Sequence, residues 1–379
     1  FEREPRYSPA EHTILSDWAR KHITSGMYTV AHGSRWAGRT HITVKHVPGE
    51  PKDLSRAKTF KLRICHDERE KNKRIIKCVS AYPNPIDSIN KAAGHSLYIS
   101  LDLAAMFNGF ELADDETRDV LAVWVPEYGL IKPTRLIFGT TNASSYCQQA
   151  IRDMEASHLA QDTRDHKIGY QDDSCIFAGS GKPTDADFQQ LYHRFEDYIK
   201  MCVHYNLTIK PTKTFIGFSR AVFYGHELSI DGHQHSARNI QACVNMQVPK
   251  NAGDVRSITA TFAQAKNRVP HFATTIRPLH DLLRKGTPFR WTHIEQQAFT
   301  NIRNAIINQP ILYTPDYTKT TELDVDASDE GMGVAYKQKD THGNYRIISW
   351  YSKAWKPTMQ RRPIFYREAA AVFYGLHLI

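Results

Sequence analysis

The sequence predicts a mixed α+β chain, and three features carry that prediction. Short strand-like runs and helices with explicit start signals are interleaved up to about His235. From there to about Pro310 the apolar spacing is helical throughout. After Pro315 three strand-like runs follow one another and a helix comes last. With 379 residues the chain exceeds one ordinary core, so two or three domains are expected.

The elements can be justified in order. Ser8-Pro9-Ala10-Glu11 is a capping box with proline at the first helical position. Ile14, Leu15, Trp18, Ala19 and Ile23 continue at helical spacing, and Gly26 closes the helix. HITVKHV and KLRICHD read as two strands of a hairpin with a long charged tip. SLYISLDL (96–103) reads as a strand. Residues 144–160 read as a helix with Tyr146, Ala150, Ile151 and Met154 on one face. IGYQDDSCIFA (168–178) reads as a tight hairpin with Asp172 and Asp173 at its tip. A long helix over about 185–206 would bury Phe188, Leu191, Tyr192, Phe195, Ile199 and Cys202. TKTFIG and AVFYGHELS read as one short strand each. Helices are expected over roughly 238–246, 253–266, 272–285 and 292–308, the last with a capping box from Thr292 to Glu295. TTELDVDAS, MGVAYKQ and YRIISWYS read as a three-stranded meander, with a helix from Ile364 onward.

Composition narrows the function classes. Hydrophobic residues make up 41% of the chain, which marks a folded globular protein. No apolar run approaches the roughly 18 residues of a membrane span, and no signal-peptide pattern opens the chain. Opening with Phe1, it reads as a trimmed piece of something longer. The net charge is +9, and residues 45–77 hold eleven Lys/Arg against five Asp/Glu. That segment reads either as a solvated loop or as a surface for a polyanion. The six cysteines form no CxxC pair and no zinc spacing, which predicts buried free thiols in a reduced, intracellular protein. His233 and His235 flank Gln234 and read as solvated turn histidines.

The adjacent aspartates are the sharpest signal. Like charges at a hairpin tip repel, and a bare tip favours Asn-Gly or Asp-Gly. On their own they read as solvated turn residues. Set between Tyr170 and apolar Ile176 and Phe177, they make sense if a cation neutralises them. Mg²⁺ is hard and oxygen-seeking, and Asp102 at the end of its own strand supplies a third carboxylate. Three such groups can hold two ions roughly 4 Å apart for phosphoryl transfer.

Around these residues the chain resembles a reverse transcriptase, most of all the gypsy class of LTR retrotransposons. YQDD (170–173) matches the Tyr-x-Asp-Asp box, and SLDLAAMFNGF (100–110) the strand with the first metal ligand. FGTTNASSYCQ (138–148) resembles the segment lining the nucleotide pocket, and LRICHDEREKN (62–72) the fingers strand that holds the triphosphate. IKPTKTFIG with VFYGHELS resembles the Asn-Pro-x-Lys-Cys and Phe-Leu-Gly-His pair. The order is the family's, over nearly the whole chain.

The resemblance implies an α+β right-hand polymerase of fingers, palm and helical thumb or connection, followed by a truncated RNase H-like module. Fingers and palm would occupy 1–235, the thumb or connection 236–316, and the module 317–379. It implies two Mg²⁺ ions, with Mn²⁺ as a substitute, on Asp102, Asp172, Asp173 and the Leu103 carbonyl. Arg63 and, less directly, Lys45 would bind the dNTP triphosphate. Phe107 would be the steric gate against a 2′-hydroxyl, with Phe138 and Gly139 flooring the pocket. Tyr170, Lys213, Tyr224 and Gly225 would meet the primer. The implied partners are an RNA template, a DNA primer, their RNA–DNA hybrid and dNTPs, with no membrane and a homodimer as one assembly. The implied location is cytoplasmic, within virus-like particles, with a nuclear phase as an alternative.

The chain also departs from the family. Ser144 replaces the proline after Asn-Ala, Ser174-Cys175 replace two aliphatics, and TATFAQAKNR (259–268) keeps Arg268 but loses two tyrosines. In the last region LDVDASDEGMGVAY and FYREAAAVFYGLHL resemble the start of an RNase H domain, with Asp326 and Glu368 as metal ligands. The family's further aspartates come from later elements, so this chain is expected to lack RNase H activity. Two other readings remain at this point. One is a catalytically silent, domesticated nucleic-acid-binding protein; the other is a structural subunit of a reverse transcriptase dimer.

Overall fold

The computed structural model describes residues 5–44, 62–78 and 82–377. Its centre is a four-stranded antiparallel sheet in the order Lys167–Tyr170, Asp173–Ala178, Leu97–Asp102, Phe215–Phe218. Side chains alternate across a strand, so each face of this sheet has its own partners. Leu97, Ile99, Leu101, Ile176 and Ala178 pack under the helices Ala143–His158 and Asp185–His204. Tyr98, Cys175 and Phe177 pack on the opposite face, against Ile89 and Ala92 of the Pro85–Ala92 helix and against Phe223 and Leu228. Asp102 and Asp173 belong to this second face by the same alternation.

Both long helices bury a stripe rotated from the expected one. In Asp185–His204 the buried residues are Leu191, Arg194, Tyr198, Met201 and Cys202, while Phe188 and Tyr192 are exposed. In Ala143–His158 they are Ala143, Cys147, Gln148 and Ile151, and Tyr146 is exposed. Polar Arg194 and Gln148 take buried positions because each is hydrogen-bonded there. Arg194 holds Asp162 and the Phe177 carbonyl; Gln148 holds the backbone of Gln171.

The capping boxes at Ser8 and Thr292 are formed as expected, and a third stands at Thr184. A hairpin pairs Thr40–Val44 with Leu62–His66; its tip lies outside the described residues. The 222–229 run is a hairpin and not one strand. Ala221–Phe223 pairs with His226–Ser229 across Tyr224 and Gly225, both at positive φ, which is the conformation of a tight two-residue turn. A third strand, Gly232–His235, extends that sheet, so His233 and His235 are buried and not solvated.

Helices from Ala237 to Ile307 share one core built on Val255, Phe262, Leu279, Phe299 and Ile302. The expected 272–285 helix is broken into Phe272–Thr275 and Arg277–Asp281. Pro278 has no N–H to give Thr274, which ends the first piece. The meander is Glu322–Ala327, Gly331–Lys339 and Tyr345–Ala354, with the Ile364–Leu376 helix laid over it. Among the described residues no helix is long and apolar enough to cross a membrane. All six cysteines are free, and Cys147, Cys175, Cys202 and Cys243 are buried.

Candidate active site

The register of the central sheet sets Asp102 directly opposite Asp173. Directly opposed residues in an antiparallel pair project from the same face, with Cβ atoms roughly 5 Å apart. Asp172 sits in the two-residue turn, and its carbonyl accepts the Leu103 N–H at 2.8 Å. Asp173 therefore opens the returning strand, and only Asp172 is at the tip proper. The turn carries left-handed Gln171 at φ 52°, which costs a residue with a side chain about 1 kcal/mol or more. Gln148 Oε1 accepts the Gln171 N–H at 2.9 Å and holds that conformation.

The carboxylates differ in their surroundings. Asp102 is 5% exposed. Lys213 donates to its Oδ1 at 2.5 Å, and Lys210 donates to its Oδ2 and, at 3.2 Å, to the Leu103 carbonyl. Burial works against ionisation of Asp102, but the two lysines outweigh it and hold the carboxyl below its usual range. Asp173 is the reverse case. It reaches solvent, yet burial and the charges of Asp172 and Asp102 push its carboxyl upward. Cys147, beneath the turn, is pushed up to about 12 by burial and by Asp172, so it is inert as a nucleophile.

Among the described residues no three His, Cys, Asp or Glu side chains close around a single point. The fit to a divalent cation lies in the donor chemistry. Two hard carboxylates, Asp102 and Asp173, share one face with Asp172 in the adjoining turn, and Asp173 is electrostatically strained by the other two.

The remaining predicted residues fall into three groups. Tyr170, Asp173, Tyr224 and Gly225 line one cleft of about 720 Å³ with Ser236 and Asn239. Its two tyrosine rings lie 5.2 Å apart. Gly225 is required there, because a Cβ would stand 2.6 Å from Asn239 Nδ2 and φ is 74°. Phe107 and Phe138 form the second group, with ring centroids 4.4 Å apart; Phe107 is buried and Phe138 is 62% exposed. Gly139 joins them to the Arg69–Asn72 helix. Asn72 donates to its carbonyl at 2.8 Å and accepts from the Thr141 N–H at 2.8 Å. Third, Arg63 is exposed on the 40–66 hairpin, paired with Thr43, while Lys45 lies outside the described residues.

The basic segment contributes less free charge than its composition suggests. Lys71 is buried on Glu68, Arg69 pairs with Asp67, and Lys73 pairs with Glu70. Lys213, expected at the primer, is committed to Asp102. Asp326 and Glu368 are both exposed, on the first meander strand and on the overlying helix. Gln148, Asn72 and Lys210 escaped the sequence reading. Gln148 and Asn72 close two of the quoted motifs without a role being assigned to them, and Lys210 stands where the resembled motif has asparagine.

Comparison with known proteins places the chain among retroelement sequences. Residues 291–378 match the family described as "RNase H-like domain found in reverse transcriptase". The chain is 24% identical over 317 residues to the transposon Tf2-3 polyprotein of Schizosaccharomyces pombe, covering 83% of this chain and 23% of that one. It is 26% identical over 322 residues to the retrovirus-related Pol polyprotein from transposon 412 of Drosophila melanogaster, covering 83% and 24%. The chain thus spans less than a quarter of the length of these relatives. The fold matches the foamy viral protease-reverse transcriptase solved with dsDNA at a TM-score of 0.81 and 16% identity, over 99% of this chain and 73% of that one. It matches the same protein solved with an RNA/DNA hybrid at 0.76 and 16% identity, over 99% and 47%.

Proposed function

We propose that this chain is the reverse transcriptase segment of a gypsy-class LTR retrotransposon Pol polyprotein, an RNA- and DNA-templated DNA polymerase. The observation that carries the reading is the register pairing Asp102 with Asp173 beside the Asp172 turn. The relatives' names and the nucleic acids in the matched structures support it.

Asp102, Asp172, Asp173 and the Leu103 carbonyl would hold two Mg²⁺, which supply charge stabilisation and activation of the attacking primer oxygen. The chain's own residues do the positioning. Tyr170, Tyr224 and Gly225 receive the primer end in their shared cleft. Arg63 meets the triphosphate, and its fixed charge opposes the negative charge that grows during phosphoryl transfer. Phe107, backed by Phe138, occupies the space a 2′-hydroxyl would need. Gln148 keeps the Asp172 turn in place. A hybrid would be gripped mainly through its backbone, so binding weakens as salt rises.

The test is extension of oligo(dT) on poly(rA) with dTTP and Mg²⁺, run beside Asp172→Asn. Incorporation by the parent and none by the variant is the expected result. Hybrid binding without extension by the parent would favour the catalytically silent reading.

A further inference from the structure

The attachment of Lys210 to the aspartate face is built from backbone as well as side chain. Its N–H donates to the Asp102 carbonyl at 2.9 Å, and Ile209 bridges to Leu103. Its own carbonyl accepts from Thr214 Oγ1 at 2.9 Å, at the turn Pro211–Lys213. The Nζ therefore reaches the site from a fixed root. It meets two oxygens at once, Oδ2 of Asp102 and the carbonyl of Leu103. Lys213 meets only Asp102, from a more exposed position.

We propose that Lys210 is a resident competitor for the divalent cation and sets the cation concentration this site requires. The inference rests on reading Asp102, Asp172 and Asp173 as a cation site. An ammonium on Asp102 and Leu103 must leave those oxygens before a metal ion takes them. Its charge also repels a divalent ion bound nearby. Lys210 is thus a positioning and tuning residue that touches no reacting atom. Asparagine at this place, as in the resembled motif, carries no such charge.

The experiment measures Mn²⁺ binding to the whole chain without nucleic acid, by the loss of the free-ion paramagnetic resonance signal. The parent, Lys210→Met, Lys210→Arg, Asp172→Asn and a distant control, Lys200→Met, are compared. Lys210→Met should bind Mn²⁺ about tenfold more tightly than the parent, in line with removing one unit charge from a partly solvated site. Lys210→Arg and Lys200→Met should stay close to the parent, and Asp172→Asn should weaken binding. Lys210→Asn gives the same reading should the methionine variant fail to fold. Unchanged affinity in the neutral Lys210 variants, with Asp172→Asn still weakened, overturns this inference and leaves the functional reading standing. Unchanged affinity in Asp172→Asn overturns both.

Discussion

The aspartates of the central sheet and the Arg268 cluster both gather perturbed ionisable groups against the 221–235 strands, but they dispose of charge in different ways. At the central sheet, Asp173 is pushed up by burial and two neighbouring carboxylates, and it opens onto a cleft. At the joint with the helical region, Arg268 is 3% exposed. It donates to the His233 carbonyl at 3.1 Å and contacts Nδ1 of His226 and His233. Burial, then the Arg268 charge, drives His233 down to about 3 and His235 down to about 4; Arg268 itself falls to about 10 through burial. The first group meets Asp102 with two lysines but leaves Asp173 without an ion-pair partner among the described residues, where a ligand can reach it. The second spends its polar atoms inside the protein. A shifted pKa therefore marks a site only where the charge is both unmet and accessible.

Asp172→Asn should break the comparison most sharply. Primer extension should fall by on the order of 1,000-fold, the scale of losing a key transition-state interaction, with no loss of thermal stability. Arg268→Ala should do the reverse. Leaving a cavity and unpaired buried histidines should cost about 3 kcal/mol, seen as a lower unfolding midpoint in denaturant.

Acid should separate the two regions further. With folded values below the ordinary 6.5, the cluster's histidines stay neutral in the folded state while the unfolded chain takes up protons. Their stabilisation is complete above pH 6.5 and is lost as pH falls toward the folded values. Unfolding free energy should drop by roughly 1 kcal/mol per histidine between pH 6.5 and 5.5. Arg268→Ala removes the second cause of these shifts but not the burial, so the fall should end at a higher pH than in the parent.

Phe107→Val should leave dNTP incorporation largely intact while raising rNTP incorporation about tenfold, the scale on which a pocket senses one small group. Competing dTTP and UTP on poly(rA) measures it. The smallest effect is expected from Asp326→Asn with Glu368→Gln. Both residues are exposed, so extension and stability should not change.

Much of this was legible because its causes are local. The capping boxes at Ser8 and Thr292 depend on side chains three residues apart, and the meander strands on alternation within each run. The rotated stripes were not legible, since Arg194 and Gln148 look polar until their buried partners are known. The turn inside 221–229 hid because Tyr224 takes left-handed φ, which the sequence does not advertise for tyrosine. His233 and His235 looked solvated because Arg268, which buries with them, lies on a different element.

Alone, the sequence determined which residues are candidates for chemistry and which runs take helix or strand, because side-chain type, alternation and capping are short-range properties. The tertiary structure decided that Asp102 faces Asp173, that Gln148 holds the turn and that Lys210 lies on Asp102. Those outcomes follow from strand register, and register is fixed only when both faces of the sheet find the surfaces that bury them.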